Sequence, residues 1–70
     1  MWHDVKSSNI AALKHDDSTL TVRFLNGTSY TYANVTANAF NDLKNAGSVG
    51  RAFHSLIKSK PAEHPFTRVN

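Results

Sequence analysis

The sequence predicts an α+β fold: a small antiparallel meander of three to four strands packed against two helices. Three observations lead there. Leu20-Thr21-Val22-Arg23-Phe24 and Ser29-Tyr30-Thr31-Tyr32 alternate with period two on either side of Asn26-Gly27, which is a hairpin pattern. Val49, Ala52, Phe53, Leu56 and Ile57 recur at i, i+3, i+4, i+7 and i+8, the stripe of an amphipathic helix. A chain of 70 residues buries only roughly 60% of its unfolded surface, so both patterns must share one core in a single domain, residues 1–70.

Each element follows from its residues. After a lead containing Trp2 and Val5, Ile10 to His15 reads as a first strand, closed by the turn formers Asp16-Asp17-Ser18. Leu20 to Phe24 is the second, with Thr21 and Arg23 outward. The turn that follows decides where Tyr30 and Tyr32 point. A two-residue Asn26-Gly27 loop would set Tyr30 opposite Arg23, on the open face of the sheet. A three-residue Leu25-Asn26-Gly27 loop with a left-handed Gly27 pairs Tyr30 with Val22 and Tyr32 with Leu20. The bulged register is expected, because only it unites the two apolar stripes on one face.

Val35 is expected to end the third strand, and Thr36 to cap a helix from about Ala37 to Ala46 with Phe40 and Leu43 inward and Gly47 as its C′ stop. Ser48 then caps the second helix, whose stripe Val49, Ala52, Phe53, Leu56 and Ile57 should be buried. Pro61 and Pro65 end it. The tail Phe66-Thr67-Arg68-Val69 could add an edge strand, giving the order β-β-β-α-α with an optional final β.

Composition narrows the setting. The absence of cysteine leaves no disulfide and no thiolate metal site, and a reducing compartment is the natural reading. No apolar run approaches a signal segment or membrane span, so a soluble cytoplasmic protein is expected. The formal charge is +3 and the pI about 9.6, which permits attraction to polyanions without requiring it. Charge placement is more telling. The acids are mostly in the first 42 residues, while Lys44, Arg51, Lys58, Lys60 and Arg68 face only Glu63 in the rest.

Taken together, Ser7-Ser8-Asn9-Ile10, Leu20-x-Val22-x-Phe24, Asn26-Gly27, Tyr30-x-Tyr32, Val35, Ala46-Gly47-Ser48-Val49-Gly50-Arg51-Ala52-Phe53 and Ile57 resemble the KTSC domain. That family occurs free-standing in bacteria and their phages and at the C-terminal end of some lysyl-tRNA synthetases. The resemblance implies a compact α+β module. The synthetase link suggests RNA binding by association alone, since the function of the family is unsettled. Two departures stand out: Lys14-His15 where a Gly-Tyr pair is expected, and Val35-Thr36 where Val-Pro usually opens the first helix.

The candidate site residues are basic or glycine-rich. Gly47, Ser48 and Gly50, with Arg51, form a junction that can hold a phosphate at free backbone N–H groups; the plainer reading is a helix stop followed by a cap. Arg51, His54 and Lys58 share the face of the second helix opposite its core stripe, with Lys60 just beyond, and can track a nucleic-acid backbone. Tyr30 and Tyr32 are base-stacking candidates if the plain turn holds and core residues if the bulged one does. His3, His15, His54 and His64 are too dispersed for a metal site, and no cofactor is expected. Asp16-Asp17 suit a turn, and Ser7-Ser8 lack a base, so no catalytic residue is assigned. The expectation is a non-enzymatic module that binds RNA or other nucleic acid. Its rival is a protein-interaction module, phage-encoded and aimed at a host protein, that docks through aromatics such as Trp2 and Phe66.

Overall fold

The structure, a computed structural model, describes residues 2–69. Five strands, β1 (His3–Asp4), β2 (Ile10–Asp16), β3 (Thr19–Phe24), β4 (Ser29–Tyr32) and β5 (Phe66–Arg68), form one antiparallel sheet in that order. Between β4 and β5 run α1 (Ala37–Lys44) and α2 (Val49–Phe53), the latter continuing into a π-helical turn at His54–Lys58. The last strand is therefore formed, as the tail pattern allowed. It lies on β4, with Tyr32 opposite Phe66 and Tyr30 opposite Arg68.

The two hairpins use different turns, and each fixes a register. Asp17 and Ser18 both take positive φ, 48° and 63°, between the paired Asp16 and Thr19, a two-residue primed turn whose twist matches that of the strands. In the β3–β4 hairpin the Phe24 N–H donates to the Thr28 carbonyl at 2.8 Å and the Gly27 N–H to the Phe24 carbonyl at 3.0 Å, with Gly27 at φ 92°. Asn26 Oδ1 ties the loop by accepting from the Thr28 N–H and hydroxyl. Val22 pairs with Tyr30 and Leu20 with Tyr32, the bulged register expected from the alternation. A further irregularity between Ile10 and Ala12 puts Ile10 and Leu13 on one face despite their odd spacing.

The inner sheet face and the helices enclose the core. Ile10, Leu13, Leu20, Val22, Val35, Leu43 and Ile57 are sealed from solvent, with Tyr32, Phe40, Val49 and Phe53 nearly so. Thr36 and Ser48 cap their helices as expected, their hydroxyls accepting from the N–H groups of Ala39 and Arg51. Among the described residues, no helix is long and apolar enough to cross a membrane.

Four expectations are corrected. The N-terminal lead pairs with β2 as β1, His3 opposite Leu13. Val35 does not end a strand: β4 stops at Tyr32, Asn34 turns the chain at φ 59°, and Val35 is buried in the link with its N–H on the Ser18 carbonyl. The first helix ends at Lys44, and Gly47 is not its C′ stop. Asn45 and Ala46 donate to the Asn41 and Leu43 carbonyls, so the open helix end is satisfied without a left-handed residue. Finally, Leu56 is 37% exposed and Ala52 only half-buried. Ser59 N–H reaches back five residues to the His54 carbonyl at 2.9 Å. Across that wider turn Ile57 stays buried while Leu56 faces solvent.

Candidate nucleic-acid interface

The π-helical turn and the β4–β5 edge bound an open cleft of about 260 Å³. Phe24, Tyr30, Tyr32 and Phe66 come from the sheet, Ile57 and Lys58 from the turn, and Pro61 and His64 from the segment leading into β5. The aromatic rings contact one another: Phe66 lies 5.8 Å from Tyr30 and 5.9 Å from Tyr32, while Phe24 and Tyr30 meet edge-on at 6.0 Å. Behind them Tyr32 packs edge-on against Phe53 at 5.2 Å. Tyr32 is buried and Tyr30 half-buried, whereas Phe66 is 59% exposed. The tyrosines are thus on the core side, as the bulged register requires, and still form a wall of the cleft. The register supports the core reading of this pair; the base-stacking reading required the plain turn.

Polar groups at the cleft are few. The His64 ring is held by Nδ1–H donating to the Ala33 carbonyl at 2.9 Å, which leaves Nε2 as its second polar atom. Burial, and then the neighbouring Tyr30, raise the Tyr32 pKa above 10.0, so its phenol stays a hydrogen-bond donor at neutral pH. Lys58 is exposed and supplies the cationic charge.

Likewise exposed are Arg51 on α2, His54 at the start of the π-helical turn and Lys60 just beyond it. The glycine junction lies at the other end of this helical segment from Lys58. There the two glycines differ. A Cβ at Gly47 would meet nothing within 4 Å, and its backbone is not left-handed, so nothing local demands glycine. A Cβ at Gly50 would lie 3.2 Å from Ser7 Oγ and 3.3 Å from Asn9 Oδ1. Gly50 therefore lets the Ser7-Ser8-Asn9 segment close onto the helix, a packing role. Ser7 Oγ also donates to Asn9 Oδ1 at 3.1 Å, which braces that segment. Of the sequence candidates, Tyr30, Tyr32 and Lys58 meet at the cleft. Arg51 and His54 lie along the helix, while Gly47, Ser48 and Gly50 stand apart.

Residues 6–60 match the family model of the KTSC domain. This chain belongs to the KTSC domain family. The fold agrees with a solved relative: the crystal structure of the KTSC domain protein YPO2434 from Yersinia pestis superposes with a TM-score of 0.86 at 29% identity, covering 100% of this chain and 97% of that one. No curated protein matches.

His15, on β2, has a defined structural place. It faces inward opposite Leu20, stacks on Phe40 at 5.1 Å, and donates from Nε2 to the Val35 carbonyl at 2.6 Å. It joins β2 to the link before α1. His3 also meets the Phe40 ring, at 5.5 Å. Among the described residues no group of three or more His, Cys, Asp or Glu could hold a metal.

Sequence reasoning missed Phe24, Pro61 and His64 as cleft residues, and it misread Trp2. The indole is half-buried, with the Arg23 guanidinium 4.2 Å and the Lys14 ammonium 5.2 Å from its centroid, so it is engaged by its own chain. The approach of Arg23 follows from the second strand's alternation, which turns Arg23 outward, but only the β1–β2 pairing brings Trp2 beside it. Of the two aromatics expected to dock a partner, Phe66 is the one that is exposed.

Proposed function

We propose that this KTSC domain is a non-catalytic cytoplasmic module that binds RNA, holding phosphates with Arg51, His54, Lys58 and Lys60. The observation that supports this reading best is the position of Lys58. It belongs both to the exposed basic stretch and to the wall of the aromatic cleft, so charge for a phosphate and rings for a base lie side by side. Cationic side chains supply sequence-independent affinity by releasing counterions, and aromatic rings add affinity for unpaired bases. Packing explains Gly50 without a ligand, so the junction of Gly47, Ser48 and Gly50 is secondary in this reading.

Binding of a labelled single-stranded RNA across a salt series tests the proposal. Two to four phosphates neutralised by the chain give a slope of log affinity against log salt of roughly −1.5 to −3. A chain that binds no RNA near physiological salt would overturn it.

One observation favours a second reading, a protein-interaction module. All three residues of edge strand β5 are exposed, and Phe66 and Val69 present apolar side chains at 59% and 55% exposure. An extended peptide can add to such an edge. Capture of a specific protein by a chain that ignores RNA would support it.

A further inference from the structure

We propose that the cleft between β4, β5 and the π-helical turn takes one unstacked nucleobase of single-stranded RNA, stacked on Phe66 and flanked by a phosphate at Lys58. This rests on the RNA-binding reading and gives it a defined subsite.

Three features of the cleft converge on a base. Its walls are aromatic, and the ring at its mouth, Phe66, is 59% exposed, so a planar ligand can stack there without displacing core. At about 260 Å³ it lies just below the usual range for drug-sized ligands, roughly 300–1,000 Å³, and suits a smaller planar group. Its polar groups also match a base edge. The Tyr32 side chain is 6% exposed and makes no hydrogen bond among the described residues, leaving a phenol donor at the cleft wall. His64, with Nδ1–H committed to the Ala33 carbonyl, offers Nε2 as an acceptor when neutral. A donor and an acceptor beside stacked rings are what recognition of an unpaired base requires.

Other places on the molecule fit less well. The second concavity, lined by Ser8, Asn9, Phe24, Leu25 and Asn26, contains no cation. On the outer sheet face Trp2 is already occupied by Arg23 and Lys14.

Phe66→Leu keeps an apolar side chain on β5 and removes the ring. Its affinity for a short labelled single-stranded RNA should fall roughly tenfold, within the span measured for one stacked base, while affinity for the same sequence as a duplex stays unchanged. Lys58→Gln should weaken single-strand binding more than Lys60→Gln, a comparison that does not touch β5. Unchanged single-strand affinity in Phe66→Leu, or an equal loss on both RNAs, would overturn the subsite and leave the basic-face reading standing. Equal effects of Lys58→Gln and Lys60→Gln would also count against it. A parent chain that binds neither RNA would overturn both readings.

Discussion

Phe53→Ala is expected to destabilise the domain by about 3–5 kcal/mol, a large share of the roughly 5–15 kcal/mol that holds a small domain folded. Phe53 is 3% exposed and joins the two halves of the core, meeting Tyr32 edge-on at 5.2 Å and Phe24 at 6.0 Å. Its loss leaves a cavity between sheet and helix that no neighbour is free to fill, because Ile57 and Val49 already pack in the core. Both of its ring partners also line the cleft, so the same change should loosen that wall. Urea unfolding monitored by circular dichroism reads the effect directly. A variant with the parent's midpoint and slope would show that the second helix is not docked through Phe53.

Arg51→Ala combined with Lys58→Ala should weaken RNA binding and flatten the salt slope by roughly one to two units, about 0.7 for each single-strand phosphate no longer neutralised. Both side chains are exposed, and neither takes part in an ion pair among the described residues. Surface changes of this kind alter stability by about 0.5 kcal/mol or less, so the double variant should melt like the parent. Weaker binding then reports the missing cations and not unfolding. Equal affinity with an unchanged slope would remove this face from consideration.

The hairpin shows what could be read from the residues. Leu20, Val22 and Phe24 alternate, Tyr30 and Tyr32 alternate, and only a three-residue loop puts both sets on one side; the structure adopts that register, with Gly27 left-handed. The helical stripe was readable at Val49, Phe53 and Ile57, all buried as its spacing predicts. Beyond Phe53 the hydrogen bonding changes from four- to five-residue and Leu56 faces solvent, and hydrophobic spacing carries no mark of that change. Strand β1 is two residues long, too short for any period to register. The cleft was hidden for a different reason. It forms only when Phe66, more than thirty residues after Tyr32, folds back as its partner on the sheet, and local patterning does not encode that pairing.

The most direct measurement is an NMR titration of the isotopically labelled domain with a short single-stranded RNA. Shifts should concentrate on Arg51, His54, Lys58 and Lys60 and on Tyr30, Tyr32, His64 and Phe66. Shifts confined to the outer sheet face at Trp2, Lys14 and Arg23, or no shifts near physiological salt, would contradict the placement of an RNA site where the basic helix meets the aromatic cleft.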